Sequence, residues 1–257
     1  MNDIAAQLDD IGKALFAAVN RKESGAWLQC LPVSNLGTLL DDDTLRISVA
    51  LRLGADTCME HACHCGKRVD PKGHHGLSCR HSAGRHPRHS AINEVVKRAL
   101  CSAGFQAIRE PPGVNRGNGL RPDGMTRAPW SQGRSLVWDV TVVDTVPQSY
   151  VKTTSSTAGA GADQAEEFKM QKYRILSDRY QFEPLGFETF GSWDQSAVEI
   201  IGQIGRRIGE ETGEPRSLSF LRQRISIEIQ RGNATSVLGT LKFSKGLDEI
   251  FYVLGAK

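Results

Sequence analysis

The sequence of 257 residues lacks any run of about eighteen apolar residues, which excludes a membrane-spanning helix. Its first residues, MNDIAAQLDDIGKALFAAV, are acidic where a secretory signal is basic, which argues against secretion. The net charge of +3 is too small to indicate a partner by itself, and the apolar fraction of 39% is enough to build a core. We therefore expect a soluble nuclear or cytoplasmic protein that has no membrane partner.

Cysteine and histidine are scarce outside one segment. All seven histidines and four of the six cysteines fall between positions 58 and 89. They are Cys58, His61, Cys63, His64, Cys65, His74, His75, Cys79, His81, His86 and His89. In a reducing compartment disulfides rarely persist, so clustered cysteines are more typical of metal sites or catalytic groups.

The spacing within this segment is typical of a zinc knuckle. Zinc takes four nitrogen or sulfur ligands in a tetrahedron, and short pairs let one tight turn supply two of them. Cys63-x-Cys65 and His75-x3-Cys79 are two such pairs. Residues 67–73 between them contain proline and glycine, which can turn the chain back on itself. We therefore predict one zinc ion held by these four side chains.

Spacing alone leaves other ligand sets open. Cys58, His61 and His74 are alternative ligands, because adjacent histidines cannot be separated by spacing. A histidine-rich surface loop without metal is the other interpretation. The two remaining cysteines, Cys30 and Cys101, lie among apolar neighbours and are expected to be small core residues.

A basic stretch follows the knuckle. Its cations are Arg80, Arg85, Arg88, Lys97 and Arg98, and Arg121 lies further along the chain. This density suits a phosphate backbone, although charge runs are also common on solvated faces. We expect these side chains to bind DNA, or RNA in its place.

A helix is predicted within this stretch. Ser90 can cap it, and apolar residues then recur at helical spacing. They are Ile92, Val95, Val96, Ala99 and Leu100. Glu94 is expected near the start of this helix.

Two acidic residues mark the next part of the chain, which alternates short strands with loops rich in glycine and proline. Phe105 to Arg109 and Leu136 to Val143 are the surest strands. Asp139 sits among apolar neighbours on the second strand, where a carboxylate is costly unless it is neutralised. Asp123 ends a preceding short strand. Two such carboxylates on neighbouring strands are typical of a magnesium site for phosphodiester cleavage. The alternatives are that Asp123 only forms a turn and that Asp139 pairs with an arginine.

These motifs resemble a known family. RPDG, whose aspartate is separated by fifteen residues from the acid of WDVTV, resembles the PD-(D/E)XK restriction-enzyme-like nuclease pattern. With a Cys-Cys-His-Cys knuckle before it, the order is similar to the C-terminal endonuclease module of LINE-type retrotransposons, downstream of their reverse transcriptase. The resemblance covers residues 25–240. It implies an α/β fold with an αβββαβ core, magnesium bound by Asp123 and Asp139, and a reverse transcriptase domain as partner.

One position departs from the family pattern. The lysine usually found two residues after the second acid is Thr141 here. In several nucleases of the superfamily the following helix supplies this lysine instead, and Lys169 and Lys172 are the candidates in this chain. We favour Lys172, because its neighbour Tyr173 can anchor that turn in the core. A surface salt-bridge ladder is the alternative reading of these lysines.

The resemblance also organises the chain. Residues 1–57 are expected to be helical, 58–89 to form the knuckle, 90–212 the nuclease-like core and 213–257 a helical extension. Residues 153–162 are expected to form a flexible loop. Glu94 or Glu110 is expected to add a ligand to the magnesium ion.

The predicted function is metal-dependent nicking of DNA. The magnesium and a lysine would activate water and relieve the negative charge of the phosphate. The alternative is a nucleic-acid-binding module that keeps its zinc but whose nuclease centre has decayed. Metal-dependent nicking of a plasmid separates the two, because a binding module gives only a mobility shift.

Overall fold

The computed structural model describes residues 7–114, 120–147 and 151–241. Aspartates cap the N-terminal ends of the first two helices. Helix α1 (Asp10–Val19) begins after Asp9, whose carboxylate accepts a hydrogen bond from the Gly12 amide. A 3₁₀ turn follows at Glu23–Gln29, and α2 (Asp42–Leu53) begins after Asp41, which caps Thr44 in the same way. Residues 30–41, between the 3₁₀ turn and α2, contain no helix.

The knuckle is a hairpin followed by one helical turn. Strands β1 (His61–Ala62) and β2 (Arg68–Val69) pair antiparallel. Helix α3 (His74–Ser78) starts after Gly73, which has a left-handed backbone conformation with φ of 72°. The hairpin and the helical turn together bring residues 63–65 and 75–79 to the same place.

The rest of the described chain forms one mixed α/β layer structure. Its elements are α4 (Arg85–Ser102), β3 (Ala107–Arg109), β4 (Gly124–Thr126), β5 (Leu136–Val143), α5 (Val151–Thr154), α6 (Ala160–Tyr173), β6 (Gln181–Glu188), α7 (Gln195–Thr212) and α8 (Ser217–Leu238). The sheet order is β3-β4-β5-β6. Strand β4 pairs antiparallel with both β3 and β5. Strands β5 and β6 pair parallel over eight residue pairs. The mixed α/β class is the one expected, and two helices, α5 and α6, lie between β5 and β6, where one was expected.

The two faces of β5 pack against different helices. Leu136, Trp138 and Val140 face a core shared with α4, α7 and α8. Val137 faces a smaller cluster with Tyr173 of α6. Because side chains alternate along a strand, Asp139 and Thr141 lie on the same face as Val137. Strand β5 is therefore covered by helices on both faces.

Two expectations about element boundaries are wrong. Helix α4 begins at Arg85, not at Ser90, and so crosses the expected boundary between knuckle and core. Residues 153–162 are not a flexible loop, because α5 ends at Thr154 and α6 begins at Ala160. The Glu188 carboxylate accepts hydrogen bonds from two amides of the first turn of α6, which fixes where that helix begins.

The expected C-terminal extension is a single long helix that belongs to the core. Leu221, Ile225 and Ile229 of α8 pack into the main apolar cluster. Residues 242–257 of that extension, and residues 1–6 of the N-terminal region, lie outside the described residues. Within the described ranges, every helix is too short or too polar to cross a bilayer.

Candidate metal centres and active-site groove

Four side chains of the knuckle converge on one point. The donor atoms of Cys63, Cys65, His75 and Cys79 all lie within 4.8 Å of one another. The Sγ atoms of Cys63 and Cys79 are 3.9 Å apart, and Cys65 Sγ is 3.2 Å from His75 Nε2. Two thiolates on one tetrahedral zinc are about 3.8 Å apart, given Zn–S bonds of about 2.3 Å. The cluster therefore has the donors and the spacing that zinc requires.

The alternative ligands point elsewhere. The two ring nitrogens of His61 lie 2.8 Å from the Met59 carbonyl and 2.9 Å from the Thr240 hydroxyl. The His74 ring packs edge-on against Phe190. The Cys58 sulfur lies 3.5 Å from the Asp70 carbonyl. Of the adjacent histidines, His75 is thus the one that faces the cysteines.

The surroundings shift the pKa values of the cluster's side chains in different directions. The Lys67 amide hydrogen bonds to Cys65 and lowers the pKa of that thiol. Burial raises the pKa of Cys79 to about 11 and lowers the pKa of His75. A metal ion reverses this penalty, because it binds the thiolate and the neutral imidazole.

The knuckle is fixed to α8 by close backbone contacts. A Cβ atom on Gly76 would lie 2.6 Å from the Ser236 carbonyl oxygen, and one on Gly84 would lie 2.0 Å from the Gly232 carbonyl oxygen. Only glycine permits such an approach. The Ser82 hydroxyl also hydrogen bonds to Ser236 at 2.9 Å. The knuckle therefore holds the start of α4 against α8.

Asp123 and Asp139 are brought together by strand register. Gly124 pairs with Trp138 across the antiparallel β4 and β5, so the next pair along the ladder is Asp123 with Asp139. Directly opposite residues place their side chains on the same face. Asp139 is only 3% exposed, and one Asp123 oxygen accepts a 2.7 Å hydrogen bond from the Val140 amide. The two carboxylates therefore share one side of the sheet.

Lys169, not Lys172, reaches Asp139. The Lys169 Nζ lies 2.5 Å from Asp139 Oδ1. The Lys172 side chain is exposed, and its Nζ lies over the Tyr173 ring at 5.0 Å from the centroid. The geometry therefore favours Lys169 over the expected Lys172, because burying Tyr173 turns the adjacent lysine outwards. Thr141 contributes no charge beside this pair, and its buried hydroxyl has no hydrogen-bond partner among the described residues.

His89 is a site residue that sequence reasoning did not select. Its Nε2 lies 3.0 Å from Asp123 Oδ2 and 3.1 Å from the Val140 carbonyl oxygen. The hydrogen bond with Asp123 raises the pKa of His89 above its usual value. Burial by itself raises the pKa of Asp123, but the His89 hydrogen bond and charge outweigh it and hold that pKa below its usual range. The feature of the sequence that could have identified His89 is its position in the basic stretch, which forms one helix with it.

A groove of about 670 Å³ opens beside these residues. Arg85, His86 and His89 of α4 form one wall, and Phe168 and Lys169 of α6 lie on the other. The floor is β5 from residue 140 to 143. Lys169, which pairs with Asp139, thus lines a groove that has cationic side chains on both walls, and Asp139 precedes the first floor residue, Val140.

Glu94 lies in a different groove. Its carboxylate is 2.8 Å from Arg98 Nε and 3.8 Å from Lys97 Nζ. It lines a second groove of about 560 Å³ between α4, α7 and α8. Five residues separate it from His89, which turns it about 140° around the helix. The expectation that Glu94 joins the magnesium site is therefore wrong in this fold.

Glu110 is closer to Asp123 by register. Its amide donates a 2.8 Å hydrogen bond to the Asp123 carbonyl, which continues the pairing of β3 with β4. Its backbone has φ of 46°, a left-handed conformation that is uncommon outside glycine. Its carboxylate is exposed and lies 3.7 Å from Arg121. Whether it binds a metal stays a prediction.

Arg88, one of the cations expected on the basic surface, is buried. Arg88 is 2% exposed and donates a 2.7 Å hydrogen bond to Asn233 of α8. The nearby Asp144 offers a compensating charge, and burial raises the pKa of Asp144 to about 6. Arg88 is thus a core residue and not part of the exposed basic surface.

The other expected cations are accessible. Arg80, Arg85, Arg98 and Arg121 are exposed and Lys97 is half-buried. Arg98 and Lys97 pair with Glu94, whereas Arg85 lines the groove that leads to Lys169.

Cys101 is exposed and Cys30 is half-buried, so neither is the core residue that the sequence led us to expect.

Comparison with known proteins does not assign the chain to a family. No protein-family model matches the chain, and no curated protein matches it at a significant level.

Proposed function

We propose that this chain is a magnesium-dependent endonuclease that nicks DNA by phosphodiester hydrolysis. The observation that carries the proposal is the meeting of Asp123, Asp139 and Lys169 beside one groove. Two acids on paired strands and a lysine beside the second acid are what the PD-(D/E)XK pattern requires. The order of the surrounding elements supports the same proposal.

The donor set suits a hard cation. Asp123 Oδ2 and the Val140 carbonyl oxygen are both taken up by contacts of about 3 Å with His89 Nε2. The donors offered to a cation are therefore the carboxylates of Asp123 and Asp139, which the strand register places opposite each other. Oxygen ligands are those that magnesium prefers. Bound there, Mg²⁺ would neutralise phosphate charge and lower the pKa of a bound water.

The protein side chains have separate roles in this proposal. Asp123 and Asp139 would hold the cation, and His89 holds the Asp123 carboxylate in place by hydrogen bonding. Lys169 donates a hydrogen bond to the attacking water or to a phosphate oxygen as negative charge develops there. Arg85 and His86 position the DNA backbone at the groove wall.

The zinc site is proposed to be structural. Its four ligands leave no open position, which is typical of structural rather than catalytic zinc. Zinc bound there would fix the knuckle against α8 and so hold Arg85 and His89 at the groove. As the C-terminal module of a retrotransposon protein, the chain would act in the nucleus with a reverse transcriptase domain.

Plasmid nicking tests the function. Supercoiled plasmid is incubated with the wild-type chain in Mg²⁺ or Mn²⁺, and the nicked form is measured. Asp139→Ala is expected to abolish nicking and to leave DNA binding largely intact, because the acid acts through the metal and its removal also removes repulsion of phosphate. Loss of binding together with nicking in this variant would contradict that role.

A decayed nuclease centre is the second candidate, and Thr141 favours it. No lysine occupies β5, and the Thr141 hydroxyl is left unpaired among the described residues. Wild-type protein that shifts DNA in a gel but nicks with neither metal would establish the binding module instead.

A further inference from the structure

The groove beside Lys169 has two chemically different walls. The α4 wall carries Arg85 and His86, which suit phosphate oxygens. The α6 wall carries Phe168, and the floor includes Val142 and Val143. A ligand that fits this groove has an anionic side and a flat apolar side. A nucleotide has both.

Phe168 is unusually exposed for a groove residue. It is 65% exposed and lies one residue before Lys169 on α6. Residues 164, 165, 168 and 169 all line the groove and form one face of the helix, so the ring borders the groove instead of packing beneath the helix. The ring has no aromatic or cation contact with another described residue.

A second exposed aromatic residue gives a useful comparison. Phe220 is 45% exposed and lines the other groove, between α4, α7 and α8. The guanidinium of Arg216 covers it at 5.1 Å from the ring centroid. Phe220 therefore has a partner within the described chain, and Phe168 does not.

The size of the groove limits what can reach Phe168. A volume of about 670 Å³ lies in the range of pockets that enclose one small ligand, roughly 300–1,000 Å³. In a paired duplex the base faces are stacked on each other, so an aromatic ring can stack only on a base that has left the stack. Aromatic stacking on unpaired bases is a general feature of single-strand binding.

We propose that Phe168 is a stacking platform for an unpaired base next to the scissile phosphate. The preferred substrate is then DNA with single-stranded nucleotides at the cleavage position, such as a gap or a displaced strand. This inference rests on the proposed nuclease function, because the stacked base would place its phosphate near Lys169. Phe168 acts on substrate choice and not on the chemical step.

The test compares binding to gapped and fully paired DNA. A duplex with a short single-stranded gap carries 2-aminopurine in the gap, and the same duplex without a gap is the reference. Affinity is measured by anisotropy without added divalent metal, and stacking by quenching of 2-aminopurine. The variants are Phe168→Ala, Phe168→Leu and Phe168→Trp, with Phe220→Ala as the matched control.

Stacking predicts a selective loss. Phe168→Ala and Phe168→Leu should weaken binding to gapped DNA by about 5- to 140-fold and reduce the quenching. Phe168→Trp should retain both, because it keeps an aromatic face. Phe220→Ala should bind as the wild type does, and affinity for the paired duplex should change little in any variant. Equal losses on both DNAs, or no loss in Phe168→Leu, would overturn the proposal.

The outcomes also separate this inference from the proposed function. Wild-type protein that stacks a base through Phe168 but never nicks would refute the nuclease and leave the platform standing. Protein that nicks paired and gapped DNA equally well, with or without Phe168, would refute the platform and leave the nuclease standing.

Discussion

Lys169→Ala should have opposite effects on the metal-free fold and on metal binding. Lys169 Nζ is 2.5 Å from Asp139, whose side chain is 4% exposed, while the lysine side chain is 20% exposed. Removing one partner of a buried ion pair costs about 3–5 kcal/mol, because a charge is left buried and unpaired. We expect the low end, about 3 kcal/mol, since water partly reaches Lys169.

Lys172→Ala is the matched control for this change. It lies three residues further along the same helix, is exposed, and has its Nζ over the Tyr173 ring at 5.0 Å from the centroid. Such a contact contributes about 0.5–1 kcal/mol. Urea unfolding without added magnesium should therefore show a midpoint clearly lower for Lys169→Ala than for Lys172→Ala. In thermal unfolding a loss of 3 kcal/mol lowers Tm by about 6–12 °C.

Magnesium should then restore part of the loss. With Lys169 gone, the Asp139 carboxylate is free for the cation, so Mg²⁺ should bind Lys169→Ala more tightly and raise its Tm more than that of the wild type. Nicking should nonetheless fall about a hundredfold in Lys169→Ala, and stay near the wild-type rate in Lys172→Ala. If both variants unfold at the same midpoint and nick at the wild-type rate, Lys169 has neither role.

Three further predictions concern zinc, nucleic acid and pH. Purified protein should contain about one zinc per chain by elemental analysis; Cys79→Ser should lose the zinc and Cys101→Ser should keep it. Arg85→Ala should reduce the slope of log affinity for DNA against log salt by about 0.9, whereas Arg88→Ala should lower stability and leave the slope unchanged; equal slopes in Arg85→Ala and the wild type would show an ordinary solvated face. Because burial raises the pKa of Asp144 to about 6, this group stabilises the folded state at acidic pH, and its contribution is lost as pH rises from about 4 to 6. Asp144→Asn should lack that decline in urea unfolding between these pH values, and a parallel decline in both proteins would disprove it.

The Cys₃His cluster was predictable because its side chains are local in the sequence. Cys63, Cys65, His75 and Cys79 lie within one hairpin and one helical turn, so their spacing nearly determines their geometry. Even so, the choice of His75 over His74 required the orientation of that turn. The pairing of Asp123 with Asp139 could be foreseen in the same way, from strand alternation and a short connection.

The remaining site residues depend on packing between distant elements. Lys169 and Lys172 differ by about 60° around one helix, and only the docking of α6 on β5 decides which faces Asp139. Arg88 belongs to a basic run in the sequence, but α8, far along the chain, covers it. His89 was missed because the helix was placed from Ser90 onwards, which left this side chain in the preceding loop.

The contacts of Gly76 and Gly84 with α8 have a consequence for the order of synthesis. A ribosome completes the knuckle early, but the backbone that it docks on is made near the end of the described chain. At about 5–20 residues per second, roughly ten seconds or more separate the two events. Zinc can fold the local hairpin during this interval, whereas Arg85 and His89 cannot take their final places. For the proposed nuclease, the knuckle would therefore be complete long before the groove, and cutting would have to wait until translation of α8 is finished.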